Sequence, residues 1–355
     1  MTGAVDWELA RRIAHRVGGT DPLAQSYLYD SLAPDFEAFT AKAEKLVAEE
    51  TGLVSLAGPA RARVIDRSQW VDANIRSFQR LLRPLTDKLE EKLKPGLMAG
   101  LTRKTAGAEL GLVLGWMSKR VLGQYDLLLT EDEDPEEQDI VYYVGPNVLA
   151  IEKKFAFPPG EFRLWLALHE LTHRAQFTGV PWMREHFLGL VEATLESADP
   201  DPERILAGVR KIISEKRQGR DPLEGGLALL FATDEQKAVL DQVSGLMSLL
   251  EGHGDVTMGR AGADEVPGAE RFHRVLHDRR NNRRGAARLL QKLMGMEAKL
   301  AQYALGEAFI EVVELDRGPE GLAVVWEGAE HLPSMEEIRD PTLWLSRVQP
   351  PVAAD

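Results

Sequence analysis

Cysteine is absent from the 355 residues. That excludes a disulfide framework and thiolate ligands, so a metal would have to be held by imidazole and carboxylate, a donor set that suits zinc. Long apolar runs are missing too. No stretch approaches the roughly 18 uninterrupted apolar residues of a membrane span, and the opening Met1–Arg12 lacks the apolar core of a signal peptide. The expected location is therefore cytoplasmic. Positive charge is scarce, with Lys and Arg at 43 against Asp and Glu at 56, a net charge of −13. A surface built to bind nucleic acid is not expected from that balance. The remaining composition, 44% apolar and 28% charged, is that of an ordinary globular chain with a sizeable core. No repeat and no clear linker divides it. A single domain over 1–355 is expected, with a helical N-terminal part (1–126), a metal-site region (139–260) and a C-terminal region (270–348).

Against these absences stands His169-Glu170-Leu171-Thr172-His173, an H-E-x-x-H pentapeptide. Side chains four apart on a helix share a face, so both imidazoles can close on one ion, with Glu170 beside them as a proton acceptor. The ends of the helix are legible. Pro158-Pro159-Gly160 precede it, and Gly179 and Pro181 follow. Phe162, Leu164, Trp165, Leu166, Leu168, Leu171 and Phe177 leave little of it polar, the mark of a buried helix. Histidines and a glutamate in such surroundings need partners, and a metal ion supplies one.

Catalytic zinc generally takes three protein ligands. The extended motif with a third histidine fails here, because Gln176 and Gly179 occupy its glycine and histidine positions. Downstream, Ser244–Asp255 is an apolar helical run ending Glu251-Gly-His253-Gly-Asp255. Glu251 and Asp255 lie four apart on one face. Glu251 is a candidate ligand and Asp255 a candidate acceptor for the free N–H of a ligand histidine. His253 is the competing ligand, rotated from Glu251 by roughly 200° of helix. The two glycines point to close backbone packing. The order E-x-x-x-D resembles the second motif of gluzincins, the thermolysin-like peptidases.

Four stretches together resemble the zincin-like metallopeptidase type 2 family: Val121–Asp126; His169–Phe177 with Val180-Pro-Trp182; Leu250–Asp255; and Lys299–Phe309 with Leu332-Pro and Trp344–Arg347. Members are often labelled hydrolases associated with biosynthesis of the deazaflavin coenzyme, factor 420. The resemblance implies a zincin-type site with zinc held by His169, His173 and Glu251, and Glu170 as the base for hydrolysis of a peptide or small amide. It supplies no established substrate. A non-peptidase role in that pathway, as accessory protein or small-amide hydrolase, and an inactive zincin-fold binding protein are the alternatives.

The architecture expected is mainly α (α+β), with helices at about 6–17, 22–50, 67–82, 86–92, 98–122, 182–198, 202–218 and 236–255 besides the motif helix. Gln124-Tyr125-Asp126 reads as closing the helix that begins at Met98, a helix whose recurring glycines invite close packing. Two small β elements are expected. One pairs Asp139–Val144 with Val148–Ile151, and its edge or Asn147 is a candidate substrate contact. The other is a hairpin of Phe309–Glu314 with Leu322–Trp326. The acidic loop Glu131–Glu137 lacks calcium-site spacing and reads as solvated. The basic Arg271–Arg284 segment reads as a solvated helix face, with His273 and His277 as candidate donors to an oxyanion.

Overall fold

The computed structural model describes residues 4–83, 86, 97–127, 138–196, 233–281 and 296–349. The expected helices at 86–92 and 202–218 and the acidic loop 131–137 fall largely or wholly outside them.

The chain divides into two compact units. The first comprises residues 1–179 with 260–269. Its helix α1 (Trp7–Gly18) starts where Asp6 Oδ1 accepts the Leu9 N–H at 3.0 Å, a side-chain N-cap. After a short 3-10 turn at Pro22–Gln25 comes α2 (Leu32–Thr51), so the single helix expected over 22–50 is broken in two. Gly52, at φ 69°, closes α2 in the left-handed conformation. Strand β1 (Arg61–Ile65) leads into α3 (Arg67–Leu81), which opens on a capping box between Asp66 and Gln69. Helix α4 (Leu97–Ser118) follows. It approaches α1 so closely that a Cβ on Gly111 or Gly115 would stand 2.5 or 2.6 Å from the carbonyl oxygens of Ala10 and Ala14. The glycine spacing is a helix–helix seam.

Strands β2 (Gly123–Tyr125) and β3 (Ile140–Val144) complete a sheet of order β1-β3-β2, with β1 parallel and β2 antiparallel to β3. β3 is buried along its whole length, which is why it reads as a continuous apolar run instead of alternating. Ile65, Trp70, Ile75, Leu114, Ile140, Tyr142 and Val144 form the core around it. Three expectations fail here. Gln124-Tyr125 does not close a helix but forms the β2 edge. β1 was not foreseen. Val148–Ile151 is no partner strand: Gly145–Phe155 is helix α5, started by Pro146 in its first turn. Helix α6 (Pro159–Thr178) carries the motif; it ends where expected and starts two residues earlier, with Pro159 at its first position.

In the second unit, residues 180–259 and 270–355, the described residues are mainly helical. It holds α7 (Met183–Glu196), most of α8 (Asp234–Ala261), α9 (Ala269–Asn281) and α10 (Met296–Arg317). A 3-10 segment at Pro319–Trp326 precedes the short helices α11 (Met335–Arg339) and α12 (Pro341–Arg347). The hairpin expected at 309–326 is absent. Phe309, Ile310 and Val313 sit at helical spacing and fill a core with Leu249, Val325, Ile338 and Trp344. α8 crosses α10 where Gly252 meets Gly306, with no room for a Cβ on either. That contact accounts for a glycine in each of the two motifs. Among the described residues no helix is long and apolar enough to cross a membrane.

Candidate metal centre

Helix α6 owes its position to two buried arginines. Arg163 Nε and Nη2 donate to Glu152 at 2.8 and 3.0 Å, and Nη1 reaches Asp35. Arg174, 1% exposed, donates to both oxygens of Asp139 (2.6–3.2 Å), to Glu44 Oε1 at 2.6 Å and to the Gly58 carbonyl at 2.7 Å. The cation is thereby tied to α2, to the loop before β1 and to the residue ahead of β3. Burial alone would lower the Arg174 pKa; the Asp139 hydrogen bonds and the two carboxylate charges outweigh it, and the pKa lies above the ordinary value. Nearly every other side chain of α6 from Phe162 to Phe177 is buried.

His169 and His173 are the exceptions, both half-buried. Their Nε2 atoms stand 3.3 Å apart and their rings are nearly perpendicular, at 84°. Two nitrogens each about 2.0–2.1 Å from one tetrahedral ion would be separated by about 3.3–3.4 Å, so the pair has the spacing that a shared zinc ion requires. His173 Nδ1 lies 3.0 Å from Gln176 Oε1. An Nδ1–H donated there leaves the Nε2 lone pair free to bind metal. Gln176, conspicuous in the sequence only as the wrong residue for an extended motif, is fully buried and orients a candidate ligand.

Glu170, 6% exposed, turns to the sheet. Its Oε2 accepts the Tyr125 N–H at 3.1 Å, and its carboxyl group rests on Gly123, where a Cβ would meet Oε1 at 2.5 Å and Cδ at 2.8 Å. Burial pushes the nearby Tyr143 hydroxyl far above its ordinary pKa; its Thr40 hydrogen bond opposes this and the Glu170 charge adds to it. Asn147 is not available for substrate. It is 3% exposed, its amide N–H groups hold the Ser118 and Val121 carbonyls at 2.8 and 2.7 Å, and its oxygen accepts from Arg67 Nε at 2.8 Å. Its work is to fix the turn that leads into β2.

In the second unit Glu251 and His253 are each 7% exposed on α8, and Asp255 is half-buried. The His253 ring packs edge-on against Trp326 at 4.9 Å between centroids. His273 is exposed on α9, and the His277 side chain lies outside the described residues.

A helix-borne H-E-x-x-H pair with an adjacent buried glutamate defines the zincin class of metalloproteins. The sequence model of the zincin-like metallopeptidase family matches residues 5–345, and the chain belongs to that family. Membership implies a divalent metal, usually zinc, and the imidazoles of His169 and His173 are side chains able to hold one. The chain is also similar to a crystal structure from Chloroflexus aurantiacus described as a candidate hydrolase with a novel fold. The two share 32% identity and a TM-score of 0.69, over 97% of this chain and 98% of that one. None of the curated proteins compared matches.

Proposed function

We propose that the protein is a zinc-dependent hydrolase of an amide bond, with His169, His173 and Glu251 as metal ligands, Glu170 as general base and Asp255 supporting a ligand histidine. The observation that carries this reading is the 3.3 Å separation of the two Nε2 atoms on α6. Family membership and the hydrolase description of the Chloroflexus protein support it, as does a donor set free of cysteine. Glu251 is preferred to His253 as third ligand because the His253 ring is engaged by Trp326.

A bound zinc ion supplies Lewis acidity, polarising a carbonyl and lowering the pKa of water from about 15.7 toward about 7. The chain's own contribution is proton transfer and order. Glu170 takes a proton from the water that attacks the carbonyl carbon; as the C–N bond breaks, the same carboxyl passes the proton to the departing nitrogen. Its hydrogen bond from the Tyr125 N–H orients the carboxylate before attack. Gln176 keeps His173 in the tautomer that can bind metal. The substrate classes are a peptide or a small amide of the γ-glutamyl type, acted on in the cytoplasm. The link to deazaflavin coenzyme biosynthesis rests on resemblance alone.

The test compares wild type with Glu170→Gln, both loaded with zinc, against peptide libraries and γ-glutamyl amides. Both proteins should hold one zinc, and only wild type should turn a substrate over. Equal turnover by the two would refute the role given to Glu170.

A further inference from the structure

Strand β2 is only three residues long, and each residue meets something specific. Its pairing with β3 runs through the Leu122 carbonyl, which accepts the Val144 N–H at 2.8 Å, and the Asp126 N–H, which donates to Ile140 at 3.0 Å. With Gln124 opposite Tyr142 in that register, the N–H groups of Gly123 and Tyr125 turn away from β3. That of Tyr125 donates to Glu170 Oε2 at 3.1 Å. At Gly123 a Cβ would collide with Glu170 Oε1 (2.5 Å), Cγ (2.7 Å) and Cδ (2.8 Å). Gly123 is not among the glycines of positive φ, so it is needed for space and not for conformation. Between them, the Gln124 side chain is clamped. Its Oε1 accepts from Trp70 Nε1 at 2.7 Å and Asn74 Nδ2 at 3.3 Å, and its Nε2 donates to Asn74 Oδ1 at 3.2 Å. Trp70 and Asn74 are both buried on α3, and Asn74 Nδ2 is itself held by the Trp70 carbonyl at 2.9 Å.

We propose that Gly123, Gln124 and Tyr125 form the positioning element of the base, an inference that rests on Glu170 being that base. The Tyr125 N–H fixes one carboxylate oxygen by hydrogen bond, and the bare Gly123 Cα receives the other by contact. Gln124 anchors the strand to α3, so the carboxylate is set by α3 and β2 as well as by its own helix. A free glutamate side chain would sample several rotamers; one held on two sides by a paired strand is restricted to a single aim.

The experiment is a double-mutant cycle on the metal-free protein, read by thermal unfolding, with Gly123→Ala, Glu170→Ala and the double variant. Gly123→Ala should lower Tm by about 2–10 °C, because the new methyl group overlaps the carboxyl group. In the Glu170→Ala background the same change should cost little or nothing, since the three nearest atoms it strikes are gone. Equal losses in both backgrounds, or none in either, would overturn the proposal. If Gly123→Ala fails to fold, recovery of folded protein on adding Glu170→Ala gives the supporting answer, and failure to recover it the refuting one. Amide hydrogen exchange gives an independent readout. The Tyr125 amide should be protected in wild type and Glu170→Gln, and exchange at least tenfold faster in Glu170→Ala, with the Gln124 and Asp126 amides unchanged. A Tyr125 amide that exchanges equally in all three refutes it. A third readout separates aiming of the base from packing: on a substrate of the zinc-loaded enzyme, Gly123→Ala should lower kcat by about tenfold or more with KM nearly unchanged, and an unchanged kcat would overturn the proposal. The first two readouts use no turnover, so failure of the hydrolase reading and failure of this one are separable.

Discussion

Replacing Arg174 with methionine should destabilise the first unit more than any surface change on the same helix. The guanidinium makes hydrogen bonds to Asp139, Glu44 and the Gly58 carbonyl while itself 1% exposed. Methionine fills much of the volume but leaves two carboxylates facing an apolar side chain. Removing one partner of a buried ion pair costs about 3–5 kcal/mol. Here the carboxylates are not fully sealed, Glu44 keeping 29% and Asp139 16% of their side-chain exposure, so water can reach part of the uncovered charge. The lower figure, about 3 kcal/mol, is the expectation. For a unit of this size that is a Tm loss on the order of 10 °C. A second consequence concerns Asp139, which holds φ at 52°, a left-handed conformation that a non-glycine residue adopts at some cost. With Arg174 gone, its hydrogen bonds to Asp139 no longer offset that cost, whereas Asp139→Asn tolerates the conformation and removes the charge. Adding Asp139→Asn and Glu44→Gln to Arg174→Met should therefore recover part of the lost stability. Urea unfolding with a constant m-value is the assay. A loss under about 1 kcal/mol, the range of exposed pairs, would refute the reasoning. So would a triple variant no more stable than the single one.

Two further outcomes are expected. Gln176→Met should weaken zinc binding by about 10–100-fold, measured by chelator competition, because the orienting partner of His173 Nδ1 is lost; unchanged affinity would remove Gln176 from the account. Glu337 yields a pH dependence. Burial raises its pKa, but the hydrogen bonds from Arg347, the Ser334 N–H and the Arg347 charge outweigh burial, and the folded value lies below the ordinary 4.5. A depressed carboxylate stabilises the fold above the ordinary value and loses that contribution as pH falls through the folded one. Stability measured from pH 6 downward should thus fall more steeply in wild type than in Glu337→Gln, and parallel curves would contradict the assignment.

The motif helix could be read from the sequence because its signals are local: prolines before it, glycine after it, and a fixed spacing for the two imidazoles. That α4 packs closely on a neighbour was legible for the same reason, as glycines four apart; that the neighbour is α1 was not. The sheet was not. β1 is five residues with two arginines, β2 is three, and their pairing with β3 joins segments far apart in the chain. Short apolar runs such as Val148–Ile151 and Phe309–Glu314 carry β-branched residues yet fold as helix, because a run of that length cannot distinguish a buried helix from a strand. What lies around Glu170 was hidden likewise. Tyr125 reaches it through its backbone N–H, which leaves no residue-type signature; Gly123 does require a glycine, but nothing local in the sequence says which side chain it makes room for. Asn147, conspicuous beside a strand, proved to be a buried clamp.

The measurement that bears most directly on the central claim is the zinc content of the purified protein and its variants by elemental analysis. The account predicts one zinc per chain in wild type, Glu170→Gln and His253→Ala, and little or none in His169→Ala, His173→Ala and Glu251→Ala. A wild-type protein that takes up no zinc, or one whose zinc survives removal of both imidazoles, would contradict it.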